Sequence, residues 1–447
     1  MAIIPQRELF NWKNVEVESD LKRLEYVLDN LNDESLMRLL EKQRGRGRDD
    51  YPLRVLFNCL IAMIVFGHNS VSSFIREMRR NAELRCAVGC DPFKGIEACP
   101  PSYVFSRFFR LLDKVSSEIE GLFDSLVADL KRLLPDFGRE IAVDSKAIHS
   151  FAKKKSRRKK GDRRSETDAD TGFKTYDMEI GGGKTARVEK KWHGYKLHYF
   201  VDARYELPLR YEVTRASVGD SPMLAKLLAG ASAKHPEIIA GCRHILGDRG
   251  YDSSENNALL FDRYGITPVI DIRNMWRDGE ETRLITPERA GNIVYNARGD
   301  VMCVCPSSNE MRSMAYWGFE HDRRTLKYRC PASAYGLSCM GREGCASGGK
   351  YGRVVRVSID ENRRLFVPLP RSTYKWKRTY RKRSAIERVN SRLDVSFGFE
   401  HHSIRGLKKM RLFVGISLTV MLAMAVGVIR AGREDLMRSL VGTARAA

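Results

Sequence analysis

The chain has 447 residues, 43% of them apolar, which excludes an intrinsically disordered protein and allows two or three domains with a sizeable core. Lys and Arg number 78 against 56 Asp and Glu, a net charge of +22, so an acidic scaffold is excluded and a polyanionic partner is favoured, nucleic acid before anionic lipid. The opening residues, Met1 to Glu8, lack the apolar core of a signal peptide, and ten cysteines in such a chain imply a reducing compartment. The expected setting is cytoplasmic, nucleoid-associated when DNA-bound, with clustered thiols meaning metal or burial before disulfides.

Residues 1–137 read as a helical domain. Apolar residues recur at helical spacing over Leu21–Leu31, Ser35–Leu40, Leu53–Phe66, Val71–Met78 and Tyr103–Leu112, with start signals at Asp50 or Pro52 and at Pro101-Ser102. Arg44, Arg46 and Arg48, spaced by glycines, make a basic joint. Helices beside such joints suit DNA contact and equally suit a plain bundle, and no helix-turn-helix is assigned.

Residues 138–272 change texture. Glu140 to Asp144 reads as a strand with Asp144 near its C-terminal end. Tyr195–Asp202 and Leu207–Thr214 read as two more strands, Ser221–Gly230 as a short helix, and His244 to Asp248 as a strand that again ends in an acid. A helix over Ser253–Tyr264 and a strand over Thr267–Ile272 follow. This order predicts a mixed α+β fold, a five-stranded sheet flanked by helices. Between the first two strands lie the basic block Lys153–Arg164 and Gly181 to Gly183, read as a mobile loop that either binds nucleic acid or is merely solvated.

Residues 273–370 break the pattern and carry Cys303, Cys305, Cys330, Cys339 and Cys345. Four thiolates, Cys305, Cys330, Cys339 and Cys345, could close a structural zinc site, although two clean Cys-x-x-Cys pairs are lacking; burial is the alternative reading. Residues 371–447 begin with Lys375–Arg383, where bases alternate with Tyr374, Trp376 and Tyr380, a mixture that suits phosphate contact with base stacking. They end with Leu412–Ile429, nearly uncharged and long enough to span a membrane, read here as a buried core helix.

Between these two segments runs a helix without Gly or Pro. Positions 0, +3, +7, +11 and +14 from Tyr380 fall in one stripe, comprising Tyr380, Arg383, Glu387, Ser391 and Asp394. An Arg383–Glu387 pair on a wet face would account for part of it. Two strand-end acids, Asp144 and Asp248, offer another account. With Glu387 they make three convergent carboxylates that could hold two divalent ions, Mg²⁺ or Mn²⁺, for phosphodiester chemistry.

These residues resemble the insertion-sequence DDE transposases, which have an RNase H-like catalytic core. Ile141-Ala-Val-Asp144 resembles the first-Asp strand, Trp192-His-Gly-Tyr-Lys-Leu-His198 the second strand, and Leu246-Gly-Asp248-Arg-Gly-Tyr-Asp252 the second-Asp motif. Tyr380-x-x-Arg383-x-x-x-Glu387 resembles the Tyr-Arg-Glu signature, which normally continues to a Lys where this chain has Asp394. Tyr51-Pro-Leu-Arg54 and Pro101 to Phe108 are similar to the family's helical leader. A large insertion before the Glu helix also occurs in the family. The resemblance implies Asp144, Asp248 and Glu387 as catalytic metal ligands, and Tyr380 and Arg383 as contacts to the transposon end. Lys196, Arg249, His198 and Tyr251 come after these, and Asp252 reads better as a helix cap. It further implies end cleavage and 3′-OH transfer into target DNA, a homodimer in the synaptic complex, and no membrane partner. The rivals are an inactive, transposase-derived DNA-binding protein and a membrane-tethered basic protein.

Overall fold

In the computed structural model, residues 20–46, 50–152, 166–179, 185–285, 291–342, 345 and 352–439 are described. The basic block Lys153–Arg164 and the Gly181 to Gly183 run therefore lie outside the described residues. Among the described residues seven α-helices come first: α1 (Asp20–Leu28), α2 (Glu34–Arg44), α3 (Leu53–Val65), α4 (Val71–Arg80), α5 (Ala82–Ala87), α6 (Ser102–Leu112) and α7 (Ser116–Leu133). Local chemistry starts several of them. Ser70 caps α4 by accepting from the Ser73 amide, and Asn81 caps α5 by accepting from Leu84. Helix α3 is apolar almost all round and correspondingly buried, whereas α4 and α6 bury one face each.

The sheet follows: β1 (Glu140–His149), β2 (Asp170–Glu179), β3 (Thr185–Asp202) and β4 (Pro208–Arg215), then helices α8 (Ser221–Lys234) and α9 (Pro236–Gly241), strand β5 (His244–Gly247), helix α10 (Ser254–Ala258) and strand β6 (Thr267–Ile270). The path β4-β3-β1-β5-β6 has its first three strands antiparallel and the last two parallel to β1. This is the mixed α/β fold expected from the element order. Central strand β1 is covered on both faces, so Ile141, Ala142 and Val143 are all fully buried.

The sheet has six strands rather than five. Part of the segment read as a loop is strand β2, which pairs with the first half of an 18-residue β3. Gly194 is the hinge between the halves, because it pairs with Asp170 on one side and His149 on the other. A Cβ there would lie 2.2 Å from the Ile148 carbonyl oxygen, so only glycine fits where the three strands meet. The alternation of β2 was hidden by its polar and charged residues, and Phe173, Lys174 and Thr175 on it are exposed.

Residues 273–370 form small sheets of their own, β7 (Thr282–Leu284) to β10 (Met311–Ser313) through β8 (Ile293–Asn296) and β9 (Val301–Val304), and then β11 (Ala315–Glu320), β12 (Thr325–Arg329) and β13 (Val354–Ser358). They enclose a separate apolar cluster around Ile293, Leu326, Tyr328, Val357 and Phe366. Buried Arg371 fastens the return to the main sheet, donating to the carbonyls of Ile270, Leu365 and Arg364 at 3.0, 3.0 and 3.1 Å.

Three helices complete the fold: α11 (Pro331–Tyr335) in the insertion, α12 (Tyr374–Arg381) and α13 (Ala385–Ser391), before the long α14 (Leu407–Arg430). Helix α14 is apolar and long enough to cross a membrane, and 89% of its apolar window is buried inside the protein. It packs on α7, α1 and β4, with Gly415 letting the Tyr211 hydroxyl come close.

Candidate active site

Strands β1 and β5 run parallel with Val143 opposite Gly247. Asp144 and Asp248, one residue further on, therefore leave neighbouring strands at the same level. Asp144 is mid-strand rather than at a strand end, since β1 continues to His149; β5 is what stops there. Asp248 is held in place by capping the turn that follows, accepting from the Gly250 amide at 2.7 Å.

The third acid comes from α13. The run from Tyr380 to Asp394 is not one continuous helix, because a 3₁₀ turn at Lys382–Ser384 joins α12 to α13 and a π turn begins at Arg392. Arg383, Glu387, Asn390 and Asp394 line the cavity, a stripe that also keeps helical spacing, with Asn390 in place of the expected Ser391. Tyr380 does not line the cavity; it stacks on buried Trp376, ring centroids 4.7 Å apart, with the Arg383 guanidinium 5.9 Å from its ring centroid. Two devices missed in the sequence lock α13. Buried Tyr199, opposite Asp144 on β3, donates from its hydroxyl to Asn390 at 2.7 Å. Buried Glu206, on the β3–β4 turn with φ +59°, accepts from Arg388 at 2.5 Å and Arg392 at 2.6 Å, while Arg392 also donates to its carbonyl at 2.7 Å. Only a paired cation explains an acid buried there, but nothing local in the sequence matches residue 206 to residue 392.

Asp144, Asp248 and Glu387 line one open cavity of about 610 Å³, together with Lys146, Lys174, Lys190, Arg383 and Asp394. The Arg383 guanidinium lies between two of the acids, 3.4 Å from Asp144 and 2.9 Å from Glu387. Burial, and next the charge of Asp248, push the Asp144 carboxyl up to about 6. Among the described residues no three His, Cys, Asp or Glu side chains stand close enough to hold one ion as they are arranged. The donor set nevertheless fits a hard divalent cation. It consists of carboxylate oxygens, and Asp144 is a buried acid beside a second acid that positive charge would relieve.

Asp394, the departure from the Tyr-Arg-Glu pattern, forms an ion pair with Lys146 two residues after Asp144. A cation from β1 thus stands against Asp394.

The remaining sequence-chosen residues lie elsewhere. Lys196 is buried and donates to the Val218 carbonyl at 2.9 Å and to Asp220 at 3.0 Å. His198 is buried behind it, bonded to Thr214, and burial pushes its imidazole down to about 4. Arg249 donates to Asp271 at 2.7 Å, and Tyr251 is fully buried. None of these four is among the cavity's lining residues. Asp252 does not cap α10, a role taken by Ser253; it instead accepts from Arg364 of the insertion at 2.8 Å.

In the insertion, folding brings the cysteines near one another. Burial first, then Cys330, Cys345 and Cys339, raise the Cys303 thiol to about 11. The predicted zinc set Cys305, Cys330, Cys339 and Cys345 is not assembled as a ligand cluster among the described residues.

Residues 136–423 match the family described as the transposase DDE domain. No curated protein matches the chain. Among solved structures, the chain is similar to that titled "Cryo-EM structure of piggyBac transposase synaptic complex with hairpin DNA", at 11% identity and a TM-score of 0.36, over 94% of this chain and 77% of that one.

Proposed function

The chain belongs to the transposase DDE-domain family, and on that premise we propose that it cuts DNA at the ends of a mobile element and joins the freed 3′-OH to target DNA. The observation that carries this reading is the meeting of Asp144, Asp248 and Glu387, 243 residues apart in sequence at the extremes (387 − 144), on the walls of one cation-rimmed cavity. Asp144, Asp248 and Glu387 are the residues that would hold Mg²⁺ or Mn²⁺, which when bound activates the attacking oxygen and stabilises the leaving one.

The chain's own residues supply the rest. Tyr199, Asn390 and Glu206 fix the α13 backbone, so Glu387 is presented at a set height above the sheet. Arg383, half-buried and placed between two carboxylates, carries the charge to receive a phosphate when DNA enters. Exposed Tyr374 and the bases of α12 extend a cationic surface outward from it. Carrying two ends to one target calls for two copies of the chain, to be checked by light scattering of the DNA-bound protein.

Strand cleavage of an end-repeat duplex with Mg²⁺ or Mn²⁺ is the test. Wild type should cut, while Asp248→Asn and Glu387→Gln should not. A second reading, a DNA-binding protein without cleavage, draws on Arg383, whose side chain lies where the acids would share a cation. Salt-steep binding by a wild type that never cuts with either metal would favour it.

A further inference from the structure

Strands β2 and β3 project beyond the main sheet as a two-stranded arm, and its register sorts its side chains into two different faces. One face carries Gly172 opposite Trp192 and then Lys174 opposite Lys190. The other carries Phe173 opposite Lys191 and Thr175 opposite Glu189. On the second face charge is balanced: Lys191 lies 3.4 Å from Glu189 and 5.4 Å from the Phe173 ring centroid. On the first face two lysines stand directly across from one another, an arrangement that is unfavourable by itself. Neither has an ion-pair partner among the described residues, and both line the catalytic cavity.

The arm's root is built to hold this face in place. Trp192 covers Gly172 so closely that a Cβ there would come 2.4 Å from the indole, and its ring nitrogen donates to the Tyr195 carbonyl. The segment leading into β2 is tied down twice, by Asp168 accepting from the Leu407 amide at 2.6 Å and by Asp170 accepting from the Ser217 amide at 2.8 Å. Within the cavity the other cations are already engaged, Lys146 with Asp394 and Arg383 with Asp144 and Glu387. Lys174 also helps hold down the Asp144 carboxyl, which places its charge beside the acids.

We propose that the β2–β3 arm is a DNA clasp, in which the opposed Lys174 and Lys190 seat a backbone phosphate of the strand lying in the catalytic cavity. A phosphodiester is the ligand that resolves the arrangement, since one anion between two opposed ammonium groups turns a repulsive pair into two attractive ones. The clasp rests on the function proposed above but is tested apart from it, with random-sequence duplex DNA in EDTA, where no cutting occurs.

The readout is the slope of log K against log salt. Each lost phosphate contact should reduce it by about 0.9, so Lys174→Gln/Lys190→Gln, which give up the one phosphate they share, should flatten it by roughly 1. Lys191→Gln, on the balanced face, should leave the slope unchanged, and Lys174→Arg/Lys190→Arg should keep it near wild type. An unchanged slope in the double Gln variant overturns the clasp, even if wild type cuts end-repeat DNA. An equal loss in Lys191→Gln overturns it too, because the effect would then be general charge. A flattened slope confined to the first pair, in a protein that never cuts, would leave the clasp standing and remove the catalytic reading.

Discussion

Asp144 should destabilise the metal-free protein, so replacing it should make that protein more stable while abolishing cleavage. Burial, followed by the charge of Asp248, raises its carboxyl from 3.8 to about 6. At about 1.4 kcal/mol per pH unit, the rise corresponds to at most about 3 kcal/mol of opposition to folding. The sign follows from proton binding. The unfolded chain releases this proton near pH 3.8, while the folded chain keeps it until about 6. Between those values the folded state binds more protons, so stability falls as pH rises and levels off above pH 6. Asp144→Asn removes the ionisation and keeps the shape. In EDTA at pH 7.5 its free energy of urea unfolding should exceed that of wild type, by a margin of about 1–3 kcal/mol that shrinks toward zero near pH 4. Mg²⁺ should then stabilise wild type and leave the variant unchanged. A variant no more stable than wild type at pH 7.5 would refute the argument, because it would mean that Arg383 already compensates Asp144 in full.

Glu206→Ala removes the carboxylate that pairs with buried Arg392 and should cost about 3–5 kcal/mol in urea unfolding, against under 1 kcal/mol if the pair is decorative. Arg383→Gln frees Asp144 and Glu387 of their guanidinium and should tighten Mn²⁺ binding to DNA-free protein roughly tenfold by titration calorimetry, as expected for removing a charged hydrogen bond of ~1.5 kcal/mol. Unchanged or weaker Mn²⁺ binding would mean that Arg383 does not compete with the cation. Lys146→Ala and Asp394→Ala should be coupled by on the order of 1 kcal/mol in a double-mutant cycle, and Lys146→Asp/Asp394→Lys should recover most of the loss. Strictly additive single effects would show that the two side chains do not act as a pair.

Much of the core was legible because its signals are local. The apolar run Ile141 to Val143 declares a buried strand, and Leu246-Gly-Asp248 declares another that stops at an acid. The helical spacing over Leu53–Phe66 and the nearly uncharged run Leu412–Ile429 mark elements that are indeed buried. Strand β2 escaped because its sequence mixes polar and charged residues at both alternating positions, and Phe173 in it is exposed, which removes the alternation that betrays a strand. The stripe around Glu387 was only partly legible, since helical spacing admits Asn390 as well as Ser391 and only the packing against Tyr199 brings Asn390 to the cavity.

The sequence alone determined which residue types were available and where local periodicity would bury them: the acids at 144, 248 and 387, the apolar strands between them, and the cationic excess. Tertiary structure alone decided who meets whom. It set Lys146 against Asp394, Glu206 against Arg392, and Lys174 across from Lys190 over the carboxylates. These partners lie from 16 to 248 residues apart, and the field between two charges depends on their distance in space and on burial, neither of which chain spacing encodes.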